Sequence, residues 1–350
     1  MSKSYVGYIG VNAVGKDGGI RVVKADGDTG ALELVQHVEN FDAPCYFAIM
    51  RDRGIVVSAR SNPDAPSTRR GMISTLRIGS SGTLEPIGST PAACERPPCH
   101  TCVSPDGRFA YSAHYVEGQC SVYRIGDSGE PWGPIQVITH RGKGPHIQQV
   151  GPRVHYATFT PDGEYVCFVD LGLDVIHVCK PDENGVLSEV KDVPVVKGAG
   201  SRHMVFSNNG GYCWVLSEMN CLITAFAYNN GEFTQLETIS SLDESLVKNK
   251  KSGSAIRVSP DGSMLLAGNR FVNTIGVFNI NLDGSLTRTA DIPCVFPRDL
   301  NFLPNGKFLY VCGQDVDCVE TFSVDYEAKT LRPTGDIMNV PMPTCIDFLK

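Results

Sequence analysis

Five times along the chain a short apolar run stops at one kind of polar turn and a second apolar run follows at once. The turns are Ser104-Pro105-Asp106-Gly107, Thr160-Pro161-Asp162-Gly163, Ser207-Asn208-Asn209-Gly210, Ser259-Pro260-Asp261-Gly262 and Leu303-Pro304-Asn305-Gly306. Pro presets φ for a turn, Asp or Asn caps it through a side-chain oxygen, and Gly takes the positive φ that a returning strand needs. Each copy therefore predicts a β-hairpin. Two further runs follow each hairpin, so that one unit has its strands at His155 to Phe159, Tyr165 to Val169, Val175 to Cys179 and Leu187 to Val193. Units of roughly 40 to 55 residues with about four strands each are the mark of a β-propeller.

Such units begin near Cys45, Cys99, Arg153, Arg202, Ser254 and Arg298, the first with a degenerate turn at Arg51-Asp52-Arg53-Gly54. Three N-terminal runs (Tyr5 to Ile9, Gly19 to Lys24, Ala31 to Val38) resemble strands two to four of a blade, and Thr344 to Leu349 resembles strand one. The fold expected is all-β: a seven-bladed β-propeller with four antiparallel strands per blade, as a single domain over residues 1–350. Pairing the C-terminal strand with the N-terminal three closes the ring and removes exposed sheet edges.

The turn glycines also serve as a ruler. In a blade the first strand runs to the hairpin and the second runs back, so the start of one and the end of the other share a mouth. Eight residues before each Gly lie Tyr46, Cys99, His155, Arg202, Ser254 and Arg298; eight after lie Asn62, Tyr115, Leu171, Glu218, Arg270 and Gln314. Repeats that only fold would stay bland there, yet these positions hold three arginines, a glutamate and a histidine. His100, His114, Asp170 and His203 lie one position away and add to the polar set.

Charge narrows the partners. With 31 Lys+Arg against 38 Asp+Glu, a net of −7 and no basic run, nucleic acid and anionic membrane surfaces are not expected partners. The N-terminus enters strand-like sequence without an apolar leader, and no long apolar run follows, so a soluble cytosolic protein is expected. Thirteen cysteines in a chain of this length, many of them inside strand runs (Cys167, Cys179, Cys213, Cys221, Cys312, Cys345), read as reduced core thiols. Gly10-Val11-Asn12-Ala13-Val14-Gly15-Lys16 imitates a phosphate loop, but Asp17 replaces the Ser or Thr and a strand follows where a helix is required. Cys99-His100-Thr101-Cys102 imitates a metal-ligand pair, but on a strand that spacing sends the sulfurs to opposite faces. No metal site and no cofactor are expected, and oligomeric state stays open.

Gly198-Ala199-Gly200-Ser201-Arg202-His203-Met204-Val205-Phe206, followed by Ser217-Glu218, resembles a blade of the seven-bladed propeller lactonase family. That family includes bacterial 6-phosphogluconolactonase and fungal carboxy-cis,cis-muconate cyclase. Other blades agree, in order: Pro98-Cys99-His100, Val154-His155 with Asp170-Leu171-Gly172, Asn269-Arg270, and Pro297-Arg298 with Gln314-Asp315. The resemblance spans essentially the whole chain and implies a catalytic set of His155, Glu218, Arg202 and Arg270. Around it, Arg298, Gln314, His100, Arg153, Asp170 and His203 are candidate substrate contacts. Arg153 stands where many members have His, and Arg257 ends a segment where many have Ala-Glu-Ile-His, which implies a substrate differing from the common one.

Lactone hydrolysis needs an activated water, donors for the oxyanion and a grip on an anionic tail. An imidazole such as His155 titrates in the working range, and planar guanidinium forks suit carboxylate, phosphate or oxyanion. Glu218 either orients the histidine or takes the proton itself. The expected partner is an anionic sugar lactone or related organic acid. A lactone-forming cycloisomerase and a non-catalytic binding propeller are the alternatives.

Overall fold

The hydroxyl, the Asp or Asn and the Gly of the repeated turn each have a hydrogen-bonding task, and the Pro presets φ. In the four copies that begin with Ser or Thr, the hydroxyl donates to the Asp or Asn side chain two residues on, at 2.6–2.7 Å. The same oxygen accepts the backbone N–H five residues on, at 2.9–3.1 Å. The turn glycine donates its N–H to the carbonyl three residues earlier, and from Gly107 to Gly306 its φ lies between 68° and 76°. Glycine adopts that left-handed conformation without steric cost. Leu303 offers no hydroxyl, and its copy keeps the backbone bonds and the Asn305 cap on Lys307 N–H.

The computed structural model describes residues 3–62 and 71–349. Among the described residues the strands form seven four-stranded sheets. Six follow chain order, within residues 46–91, 100–139, 154–194, 201–240, 252–293 and 297–339. The seventh has the order Pro343–Phe348, Ser4–Val11, Arg21–Asp26, Leu32–His37, so the C-terminal strand pairs with the N-terminal three. The protein is a seven-bladed β-propeller. The four strands expected between His155 and Val193 are Val154–Phe159, Val166–Asp170, Val175–Pro181 and Leu187–Pro194.

Burial grades across each blade. The second strands Ile55–Ser61, Phe109–His114, Val166–Asp170, Met264–Arg270 and Phe308–Gly313 are buried at every position, because a neighbouring sheet covers each face. The fourth strands, such as Pro131–Thr139, are mostly exposed or half-buried. The chain packs as two compact units, one of Gly10–Val22 and Gln36–Ser201, the other of Met1–Ile9, Val23–Val35 and Arg202–Lys350. In the first, Phe109, Tyr111, Val154, Phe168 and Leu187 form one core between adjacent sheets. In the second, Trp214, Ile223, Ile256, Leu265 and Phe278 do the same. The six cysteines read from strand runs are all buried. No helix among the described residues is long and apolar enough to cross a membrane.

The turn chemistry makes a prediction about stability. Ser104→Ala removes the acceptor for Phe109 N–H and the donor to Asp106, and is expected to cost about 1–2 kcal/mol in urea or thermal unfolding. Leu303→Ala loses no turn hydrogen bond, so its cost must follow buried area alone. Equal unfolding curves for Ser104→Ala and the parent would contradict this account of the repeat.

Candidate active site

In the second unit, strand ends from neighbouring blades deliver their polar residues to one place. Gly253 N–H donates to the Glu218 carbonyl at 2.9 Å, which ties the start of Ser252–Val258 to the residue following Tyr212–Ser217. A Cβ on Gly253 would meet the Ser217 carbonyl at 2.4 Å, so only glycine allows this approach. Arg202 enters from Ser201–Phe206 and Arg270 from the end of Met264–Arg270. Arg202 Nε donates to Glu218 Oε2 at 2.9 Å, and Arg270 Nη2 lies 3.0 Å from the same oxygen. Behind them, Arg202 Nη1 donates to the Ser254 carbonyl, while Arg270 Nη2 donates to Ser252 Oγ (2.7 Å) and the Gly253 carbonyl (3.2 Å).

The three side chains differ in exposure. Arg202 is 1% exposed and Arg270 9%, whereas the Glu218 side chain keeps 26% of its surface in solvent. Burial alone would raise the Glu218 carboxyl, but Arg270, Arg202 and Arg298 outweigh it and hold it below its ordinary value. Burial and the neighbouring Arg298 both lower Arg270, against Glu218. One carboxylate therefore answers two buried cations, with the half-buried Arg298 acting on it as a further positive charge. Arg298 sits where the pairing of Pro297–Phe302 with Phe308–Gly313 shifts register, a bulge of the kind that re-aims a side chain. Arg270 Nε is buried with no hydrogen-bond partner among the described residues.

Two more charges stand nearby in sequence. Arg257 Nη2 donates to Asp299 Oδ1 at 2.9 Å, and Asp299 is 1% exposed with its carboxyl raised by burial against the pull of Arg257. Asp299 went unnoticed in the sequence because the pair joins neighbouring blades 42 residues apart. The signal available was the arginine standing where the family pattern has another residue. His203 follows Arg202 on the same strand and so faces the other way, buried. Gln314 opens the short 3-10 turn Gln314–Val316 and is half-buried.

The first unit brings a second set together. His155 is 5% exposed, lies at a register shift in Val154–Phe159, and meets the Tyr115 ring edge-on at 5.5 Å. The Arg153 guanidinium lies 4.9 Å over the other partner of that contact, the Tyr115 ring. His100 is buried between the rings of Tyr46 (3.8 Å) and Tyr156 (4.0 Å), and its Nδ1 accepts from Ala157 N–H at 3.3 Å. Asp170 is fully buried, and Oδ1 accepts N–H groups from Arg153, Gly172 and Leu173 at 2.8–3.0 Å while Oδ2 faces His177 Nε2 at 3.5 Å. Asp170 thus organises the backbone beside His155.

Asp174, which the sequence did not flag, anchors the segment that runs into Arg202. Its carboxylate accepts from Gln149 Nε2 and from the N–H groups of Gly198, Gly200 and Ser201 at 2.6–3.2 Å. Gln149 also donates to the Leu171 carbonyl at 2.8 Å, so the connection after Arg141 is pinned at this residue.

Charged groups thus gather at strand ends of a seven-bladed β-propeller. The chain belongs to the seven-bladed β-propeller lactonase family, whose description, "Lactonase, 7-bladed beta-propeller", it matches over residues 6–348. It is 30% identical to the 6-phosphogluconolactonase of Bacillus subtilis (strain 168) over 99% of this chain and 98% of that one. Among solved structures it is similar to a Pseudomonas aeruginosa periplasmic gluconolactonase, with TM-score 0.91 and 26% identity over 99% of both chains. A protein from Lactobacillus plantarum matches with TM-score 0.92 and 27% identity, over 99% of this chain and 100% of that one.

Two outcomes test the charge balance and the anchor. Glu218→Ala leaves Arg202 and Arg270 without their common counter-charge, a change expected to cost about 3–5 kcal/mol, and added phosphate or sulfate should restore part of the melting temperature. A variant as stable as the parent and indifferent to anions would refute the bridging role. Asp174→Ala should lower unfolding stability by about 2–4 kcal/mol, and an unchanged denaturation midpoint would show that the anchor is dispensable.

Proposed function

We propose that this chain hydrolyses an anionic sugar lactone, with Arg202, Arg270 and Arg298 holding the anion and the developing oxyanion. The observation that carries this reading is the excess of buried positive charge over the single Glu218 carboxylate, with Arg270 Nε left as an unused donor. Guanidinium forks bind carboxylate and phosphate through paired N–H donors, and a donor already buried costs no reorganisation as charge develops. Relatives named as 6-phosphogluconolactonase and gluconolactonase support a sugar lactone as substrate class.

The reaction adds a water oxygen to the ring carbonyl, takes a proton from that water, breaks the ring C–O bond and protonates the leaving alkoxide. Glu218, held ionised and below its ordinary value by three arginines, is a weak base. His155 is the residue we assign to the proton, because an imidazole accepts and returns one near neutrality. Tyr115 and the Asp170-ordered backbone at Arg153 fix the surroundings of that ring. Glu218 keeps the two guanidinium planes apart and aimed.

Activity on a panel of phosphorylated and neutral sugar lactones tests the assignment. Arg270→Ala is expected to lower kcat/KM on the anionic lactone by roughly a hundredfold or more, and on the neutral one by much less. No acid release from any lactone would sink the proposal. An ultraviolet change on a muconate-type diene without uptake of water would replace it with cycloisomerisation.

The pH profile separates the two candidate bases. If His155 carries the proton, His155→Ala removes the acid limb of kcat/KM together with most of the rate. Because the Glu218 carboxyl is lowered, its own protonation lies below the ordinary carboxylate value and leaves no limb near neutrality. An acid limb that appears only at carboxylate pH and survives His155→Ala would assign the base to Glu218.

A further inference from the structure

Cys94, His114 and Glu117 come together in the first unit, away from any motif the sequence displays. One donor atom from each lies within 4.8 Å of the other two. Cys94 belongs to the connection ahead of His100–Val103, His114 ends Phe109–His114, and Glu117 lies on the turn that follows. Cysteine sulfur, imidazole nitrogen and carboxylate oxygen together are a ligand set that suits a borderline-soft cation.

The hydrogen bonds around His114 define its tautomer. Ser121 Oγ donates its proton to the Tyr123 hydroxyl at 2.9 Å, so towards His114 Nε2, 2.6 Å away, it acts as acceptor. His114 therefore carries its proton on Nε2 and presents a lone pair on Nδ1. That nitrogen is buried on a residue with no exposed surface, and it has no hydrogen-bond partner among the described residues. A ring N–H fixed by an outer partner, with the opposite nitrogen left basic, is how metal-bound histidines are held. Leaving such an acceptor dry and unsatisfied is costly in a protein interior.

We propose that Cys94, His114 and Glu117 form a binding site for one divalent transition-metal ion of the zinc class. On binding, the Cys94 S–H bond breaks, its proton leaves to solvent and a sulfur–metal bond forms; no electron is transferred. Tetrahedral zinc places its donors roughly 2.0–2.3 Å from the ion and so about 3.5 Å from one another. The remaining approach falls to Cys94 and Glu117, both only half-buried. Gln119 Oε1, which accepts from Cys94 Sγ at 2.9 Å, lies beside the thiol as a fourth donor atom, an oxygen. The ion would staple the connection before His100 to the turn that begins at Tyr115, the residue whose ring packs on His155. The site thus has a positioning role for that ring as well as a structural one.

The test uses the full chain, stripped with a chelator and titrated with Zn2+, and in parallel with Co2+ as an optical probe. One equivalent should bind per chain, with a thiolate-to-cobalt charge-transfer band that Cys94→Ser abolishes. Glu117→Gln, at a half-buried turn position, should weaken Zn2+ binding at least tenfold without unfolding the chain, and keeps the test valid where a thiol variant folds poorly. Hydrogen exchange at residues 115–118 should slow when the ion is added. Absence of stoichiometric binding overturns the proposal, as does binding whose spectrum and affinity ignore both substitutions, since the ion would then sit on other thiols.

Discussion

A single carboxylate that bridges two buried guanidinium groups is the interaction on which the site depends. Arg202 and Arg270 arrive from different blades, and neither would remain buried without a counter-charge. Glu218 supplies it to both through one oxygen, at 2.9 and 3.0 Å. The backbone is built to keep that oxygen in place. Gly253 lets the next blade approach the strand end closely enough for its N–H to hold the Glu218 carbonyl, and carbonyl groups of Gly253 and Ser254 take further guanidinium donors. The arrangement leaves two guanidinium groups on one carboxylate oxygen, and in the proposed reading that residual positive charge receives the substrate's anion.

Much of this was legible because a repeated blade turns sequence distance into spatial position. The turn glycines set the register, and counting eight residues to either side brought out Arg202, Glu218 and Arg270, which the structure joins directly. In the first unit the same count brought out Tyr115 and His155, whose rings touch. The hydroxyl that opens four of the turns was legible too, and its double hydrogen bond explains why Ser or Thr recurs there.

Other features escaped the ruler for physical reasons. Asp170 has three backbone N–H groups on Oδ1 and faces His177 with Oδ2, an arrangement that depends on local turn geometry and not on residue type. Asp174 serves a loop, where no repeat sets the register. Asp299 pairs with Arg257 across blades, and carbonyl acceptors such as that of Ser254 have no sequence signature at all. The Cys94, His114 and Glu117 cluster has no spacing typical of a metal motif, because a strand, a turn and a separate connection bring it together.

The central claim is that the charge excess around Glu218 receives the substrate's anion. A crystal structure of the chain with a phosphorylated aldonate, the product of lactone opening, tests it most directly. The account predicts anion oxygens within hydrogen-bond reach of Arg270 and at least one of Arg202 and Arg298, with Glu218 still between the first two. An ordered aldonate bound elsewhere, with the Arg202, Glu218 and Arg270 contacts untouched, would contradict it.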